Sequence, residues 1–382
     1  MIGAASLKLP PARPDLGLSV AVAVLLLIGL VMVASSSVAV ADRATGEPLY
    51  YFYRQAVYAL LGLGAGFVVL HLPLRLWQAN SVPLLGAGLA LLVLVLIPGI
   101  GREVNGARRW IDLGPAMLQA SEPARLCVLL YLAGYAVRRQ VELRTTLGGL
   151  VRPILPVLLA SLLLLLEPDY GAVAVLVAVS GILLFLAGAR LSHLLMLGGG
   201  AVGMLMVAAL SSPYRVARLV SFTDPWAHPY ASGFQLTQAL IAIGRGEFAG
   251  VGLGNSVQKL LYLPETHTDF LFAILAEEFG LIGSLAVIAL FALVLWRGFA
   301  VAGRAGAAGL WFGAYLAYGI VSWLALQAFV NIAVNMGLLP TKGLTLPLMS
   351  YGGSSLLTTC VLVALLLRVD LEARAAAPGR RR

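Results

Sequence analysis

About ten separate stretches of this chain are apolar and approach the roughly 20 residues that a helix needs to cross a bilayer core. They fall at 16–41, 55–70, 81–97, 123–137, 154–166, 171–188, 191–210, 270–296, 307–331 and 354–367. The pattern predicts an all-α polytopic membrane protein, one domain over 1–382 rather than a string of soluble ones. Only 11% of the residues are charged, against about one quarter in a soluble chain. The net charge of +9 does not read as nucleic-acid binding, because no basic run interleaves with stacking aromatics. Cys127 and Cys360 each lie in an apolar run without zinc-ligand spacing and read as buried small hydrophobes. The first run is too long for the core of a cleaved signal and follows Lys8 and Arg13, so it is expected to remain as the first span.

An even number of spans puts both termini on one side, and the Lys/Arg bias says which. The termini and alternate loops hold Lys8, Arg13, Arg75, Arg138, Arg139, Arg144, Arg152, Arg190, Arg297, Arg304, Arg368, Arg374 and Arg380 to Arg382. Beside them stand the acids Asp15, Glu142, Asp370 and Glu372. Such a side is cytoplasmic, which makes 1–15 and 368–382 a cytoplasmic N-terminus and tail. Two long connections then lie outside, 98–122 and 211–268. Within the second, Ser232 and Gln235 make a capping box. Leu236, Ala239, Leu240 and Ile243 follow at helical spacing. A short amphipathic helix at the outer interface is expected there, ended by Gly244. Gly246, Gly250, Gly252 and Gly254 then permit tight turns or close backbone approach.

The polar string His267-Thr268-Asp269 meets the eighth span. Thr268 reads as a helix N-cap and Asp269 as the first helical residue, where the dipole favours its anion. The alternative is a general base at the water–lipid boundary, taking a proton from a sugar hydroxyl. His267 and Asp269, with Glu265, are also possible ligands for a divalent cation, although they match no established spacing. Glu277 and Glu278 follow roughly 12–14 Å further along the helix, as functional acids or as partners for an arginine or the backbone. Arg108, Arg109 and Trp110 read as an interfacial anchor, or as guanidinium groups clamping pyrophosphate beside an aromatic platform. Glu167-Pro168-Asp169 ends the fifth span on the same side. Asn331, Asn335, Lys342 and the run 346–355 suggest a re-entrant turn, tolerated only against protein or a water-filled cavity. Five polar outer segments imply an outward-facing cavity at membrane level.

The motifs GLGNSVQKLLYLPETHTDFLFAILAEEFG and LLPTKGLTLPLMSYGGSSLL, with VMVASSSVAVA, YFYRQA, NGARRWI and EPDYG in order, closely resemble the SEDS family (shape, elongation, division and sporulation) of bacterial cell-wall polymerases. Residues 255–259 and 341–345 look like the division branch rather than the elongation branch. QASEPARL departs from the family's more usual Pro-Ser-Glu-Leu-Ala-Lys pattern, with Arg125 standing for lysine. The resemblance implies a glycosyltransferase that polymerises lipid II into glycan strands with inversion, releasing undecaprenyl pyrophosphate. It implies Asp269 as the catalytic carboxylate, and Trp110 and Asp169 as two further required positions. It also implies a class B penicillin-binding protein (a monofunctional transpeptidase) and other divisome proteins as partners. Arg108, Arg109, Lys259, Lys342 or a divalent cation (Mg or Mn) are expected to offset the leaving-group charge, with His267 and Glu277 as further substrate contacts and no organic cofactor. A precursor flippase or transporter, and a non-catalytic division scaffold, are the competing readings.

Overall fold

The computed structural model describes residues 13–376 apart from 105, 113, 115–116, 211–221, 223, 228, 231–232 and 341–342. All ten apolar stretches fall on helices. In chain order the helices are α1 (Leu16–Thr45), α2 (Tyr50–His71), α3 (Leu74–Ala79), α4 (Ser81–Leu96), α5 (Ser121–Arg138), α6 (Gln140–Thr145) and α7 (Leu147–Leu166). They continue with α8 (Tyr170–Leu186), α9 (Leu191–Leu210), α10 (Phe234–Gly246), α11 (Leu271–Ala307), α12 (Trp311–Asn335) and α13 (Gly353–Ala376). Among the described residues six of them, α1, α2, α7, α11, α12 and α13, are long and apolar enough to cross a membrane, while α4 and α8 are shorter apolar helices. The chain is a multi-pass membrane protein.

Helices α12 and α13 lie inside the bundle, whereas α2 and α7 present Leu60, Phe67, Leu155 and Leu162 outward. Helix α2 packs closely on α13 because its small residues face it. A Cβ on Gly62 would meet Cys360 Sγ at 2.9 Å, and one on Gly66 would meet Ala364 Cβ at 3.4 Å. Small residues at this spacing let membrane helices approach without a hydrophobic driving force between them. Cys360 is buried there as expected, while Cys127 is only partly buried; both are free thiols.

The two ends of the bundle differ in kind. At one end a charge cluster ties the start of α1 to the ends of α11 and α13. Asp15 caps α1 by accepting from Leu18 N, and donates its own N–H to Asp370 Oδ2 at 2.8 Å. Arg304 and Arg374 bridge both acids, and Arg297 reaches Asp15 at 3.6 Å. Arg368 pairs with Glu372, which accepts from Leu74 N. This is the end rich in basic residues in the sequence. The opposite end holds the loops and turns that carry the candidate chemistry.

Two expectations need correction. The connection 98–122, expected as a loop within an all-α chain, carries an antiparallel sheet, β1 (Gly101–Val104), β2 (Ala107–Asp112) and β3 (Met117–Gln119), in the order β1-β2-β3. The bundle is therefore helical with one small sheet. The readable signal is Asn105-Gly106, the turn pair that favours two-residue hairpins; Gly106 has φ 76°.

The expected helix at 270–296 is instead broken at Gly280, with φ 63° and ψ −158°. A buried stub from Leu271 precedes the break, and the longer membrane segment follows it. The break would orphan four backbone groups, and the glycine-rich loop satisfies them. Val251 N and Gly252 N donate to the carbonyls of Glu277 and Glu278, while Leu281 N and Ile282 N donate to Glu247 O and Phe248 O. Side chains would prevent this approach: a Cβ on Gly246 would lie 1.9 Å from Ala276 O, and one on Gly250 2.2 Å from Glu278 O.

The amphipathic helix α10 exists and packs on α11, with Leu236, Ala239 and Ala242 buried. It runs to Gly246 rather than stopping at Gly244, and starts behind Gly233 with no side-chain cap. Ser232, the expected capping residue, lies outside the described residues.

Candidate active site

Asp269 sits one residue before the N-cap of α11, Phe270, which makes no side-chain cap bond. Thr268 is not the cap: its hydroxyl donates to Glu265 Oε2 at 2.6 Å. Helix α12 supplies the missing partners. Asn335 Oδ1 accepts from Ala273 N at 3.0 Å, a donor that also reaches Phe270 O at 3.1 Å in the first turn of the stub. Asn331 and Asn335 each donate Nδ2 to Asp269 O at 2.9 Å, and Asn331 also donates to Leu344 O. The mainchain of Asp269 is thus clamped by two asparagines one helical turn apart.

The Asp269 carboxylate packs against Gly343, where an added Cβ would come within 2.8 Å of Oδ2. On its other side Gly343 approaches the turn after Asp169: a Cβ on Gly171 would lie 3.1 Å from Leu344 Cδ2 and 3.7 Å from Gly343 O. Gly343→Ala is therefore expected to displace the Asp269 carboxylate while leaving the bundle intact. Misplacing a reacting group by a fraction of an ångström to an ångström costs up to about 100-fold. The check is turnover compared with thermal unfolding: a drop in rate with an unchanged midpoint is expected.

The segment after Gly343 joins the remaining pieces. Thr345 and Ser355 hydroxyls lie 2.9 Å apart, and Gln327 donates to Thr345 O. Ser354 Oγ accepts from Gln119 N on β3. Gln119 Nε2 donates to Asp169 Oδ2 at 3.3 Å, and Asp169 caps α8 by accepting from Ala172 N. In the sheet Gln119 stands opposite Trp110. Trp110, Gln119 and Asp169 are thus linked one to the next, and the turn after Asp169 approaches, at Gly171, the Gly343–Leu344 segment that packs on Asp269.

Arg108 and Arg109 do not act as a pair, because successive strand residues face opposite sides. Arg109 donates to Glu167 O at 2.9 Å and to Pro168 O at 2.5 Å, fixing the turn in which Pro168 has φ 33°. Arg108 instead faces Glu103 of β1 at 3.4 Å. Glu167 is fully buried, and neither carboxyl oxygen has a hydrogen-bond partner among the described residues. Burial, reinforced by the charge of Asp169 and opposed by Arg109, pushes its pKa up from 4.5 to about 8. The folded protein therefore keeps this proton to higher pH than the unfolded chain. Its contribution is fully present below pH 4.5 and is lost as pH rises through about 8. Glu167→Gln is expected to remove that slope, which thermal midpoints of both proteins across this range will reveal.

His267 is buried between Tyr51 and Tyr351, at ring-centroid distances of 4.5 and 5.5 Å. Burial lowers its pKa and favours the neutral ring. Its carbonyl accepts from Tyr351 N at 2.8 Å, pinning the Asp269 loop to the turn before α13, while Gln55 of α2 donates to Ser350 O. Arg54, one turn from Tyr50 and Tyr58 and bonded to both hydroxyls, lies beside this stack. Sequence reasoning treats YFYRQA only as a marker and misses this arginine; the Tyr-Arg-Tyr spacing of four along one helix is the available signal.

Lys259 and Glu277 are turned inward. Lys259 Nζ bonds Glu278 Oε1 at 2.7 Å and Ser35 Oγ at 2.9 Å. Glu277 accepts from Val257 N at 3.0 Å, from Ser256 Oγ, and from Arg245 at 3.2 Å. Both are committed to holding the glycine-rich loop on α11 rather than open to a substrate. The expected trio of His267, Asp269 and Glu265 does not converge as a cation site. Among the described residues no group of three His, Cys, Asp or Glu side chains is arranged to hold a metal ion, and no step is assigned to one. Arg125, in the departing QASEPARL segment, pairs with Glu122 inside the bundle and stacks on Trp323 at 4.7 Å. Lys342 lies outside the described residues.

Residues 17–375 match the family described as "Cell cycle protein", FTSW_RODA_SPOVE. The chain is 58% identical to a probable peptidoglycan glycosyltransferase FtsW of Nitrosococcus halophilus, covering 97% of this chain and 95% of that one. It is 55% identical to the protein of the same name from Thioalkalivibrio sulfidiphilus, over 96% and 92% of the two chains. Among solved structures it is similar to a chain of a peptidoglycan synthase complex, described as coordinating polymerization and crosslinking. That likeness has a TM-score of 0.77 at 32% identity, over 94% of this chain and 98% of that one. The rod shape determining protein RodA of Thermus thermophilus is similar at a TM-score of 0.69 and 32% identity, over 94% and 97%.

Proposed function

Because the chain belongs to the cell cycle family of FtsW, RodA and SpoVE, we propose that it is a peptidoglycan glycosyltransferase of cell division and that Asp269 is its general base. The substrate is lipid II and the product a growing glycan strand. The acceptor's 4-hydroxyl attacks C1 of the donor sugar as Asp269 takes its proton. The C1–oxygen bond to pyrophosphate breaks with inversion, and undecaprenyl pyrophosphate leaves with the electron pair. The mounting of Asp269 carries this reading: its backbone is fixed by Asn331 and Asn335 while its carboxylate packs against Gly343, whose segment meets the turn after Asp169 at Gly171. A carboxylate carried on a clamped mainchain is pre-positioned for proton transfer.

The other residues divide by what they touch. Trp110 and Asp169, joined through Gln119, line the approach to Asp269. Arg108 and Lys342 offset charge on the leaving pyrophosphate. Arg109 shapes the Glu167–Asp169 turn, and His267 locks the Asp269 loop through its neutral ring. Lys259 and Glu277 are positioning residues for the loop. The protein sits in the bacterial inner membrane with both termini cytoplasmic and Asp269 at the periplasmic face. The concentration of arginines at the Asp15–Asp370 end supports that orientation. A class B penicillin-binding protein crosslinks the product; the similarity to a complex that coordinates polymerization with crosslinking supports this pairing. The test supplies purified protein and its transpeptidase with labelled lipid II. Glycan strands are expected on gels; lipid translocation in vesicles without strand formation would replace this reading with a flippase.

A further inference from the structure

A cavity of about 610 Å³ opens where the end of α5 meets the start of α7. It belongs to the arginine-rich end: Gln140 of the same connection donates to Tyr315 near the start of α12. Tyr131, Tyr135, Arg139, Glu142, Gly149 and Arg152 line it. Arg139 and Arg152 come from different elements, α5's C-cap and α7, yet both reach one carboxylate. Glu142 Oε1 accepts from Arg139 and Oε2 from Arg152, each at 2.5 Å. Two guanidinium groups are thus aimed at one point, now filled by the chain's own anion. Tyr135 spends its hydroxyl on Gly149 O, shaping the wall.

We propose that this cavity is a phosphate site, taking the headgroup phosphate of an anionic lipid. Guanidinium pairs match phosphate oxygens in fork geometry. Basic pockets between membrane helices on the cytoplasmic side bind such headgroups, and tyrosines favour the interface. The flanking Val141 and Leu147 are exposed apolar residues, and α7 turns Leu155, Leu158 and Leu162 outward, where lipid chains would lie. Exposed ion pairs contribute little to stability, so Glu142 gives up its partners readily, and the site keeps an uncompensated positive charge.

The test uses the full chain purified in detergent and stripped of lipid. Dioleoylphosphatidylglycerol, dioleoylphosphatidylcholine and inorganic phosphate are added separately, with bound ligand counted by native mass spectrometry and unfolding midpoints recorded. Phosphatidylglycerol is expected to bind and raise the midpoint. Arg139→Ala/Arg152→Ala should weaken it at least about tenfold, the equivalent of about 1.4 kcal/mol. Glu142→Gln, which frees both guanidinium groups, should tighten it. The same variant pattern with inorganic phosphate assigns the site to a soluble phosphate anion instead of a lipid. Equal binding of both lipids with no effect of phosphate, or phosphatidylglycerol binding unchanged in both variants, would overturn the proposal.

Discussion

Asp269→Ala is expected to lower the rate of lipid II polymerisation by roughly 10²–10⁴-fold, the range that a positioned general base supplies. The protein should still fold, because Asn331 and Asn335 hold the backbone carbonyl of residue 269, not its side chain. Ala273 N keeps its Asn335 cap in the variant, so the stub of α11 stays formed. The effect should therefore fall on turnover, with an unchanged unfolding midpoint and unchanged association with the transpeptidase. A rate within a few-fold of wild type would remove the carboxylate from the chemistry.

The largest effect on stability is expected at Lys259. Its ammonium is the nitrogen partner of Glu278, whose side chain is fully buried, and Ser35 Oγ completes the triad from α1. Lys259→Ala leaves a buried carboxylate without its counter-charge, a change that costs about 3–5 kcal/mol. The loop that carries Val251 and Gly252 across the break at Gly280 would loosen with it. Thermal unfolding in detergent should show a large fall in midpoint. Adding Glu278→Gln to the same protein should recover much of it, since a neutral amide removes the uncompensated charge. A Lys259→Ala midpoint equal to wild type would mean that the pair contributes nothing.

These two residues also show where reading the sequence stops. Hydrophobic run length locates the long helices of the bundle, because the bilayer thickness imposes it whatever the tertiary contacts. The gathering of polar segments away from the Asp15–Asp370 end is also legible, and the family motifs single out Asp269 as the carboxylate to test. The partners are not. Lys259 finds Glu278 and Ser35, and Glu277 finds backbone donors, only because the chain doubles back across the stub. In the sequence Lys259 reads as a contact for the leaving group, while Glu277 reads either as a functional acid or as a partner for an arginine or the backbone, and Arg245 and Val257 N make it the second. The break at Gly280 is hidden for the same reason: one glycine inside an apolar run looks tolerable until the Gly246 and Gly250 backbones are known to lie against it. The sheet at 101–119 is obscured by its shortness, although its Asn-Gly turn is visible.

Asp269→Asn isolates the charge from the shape, since the amide keeps the size of the carboxylate and cannot take a proton. Wild-type and variant protein, matched for amount and unfolding midpoint and each paired with the transpeptidase, should be given labelled lipid II and their glycan strands resolved by length. Strands from the wild type and unreacted lipid II from the variant are the expected result. Full-length strands made by the Asp269→Asn protein at the wild-type rate would contradict the account.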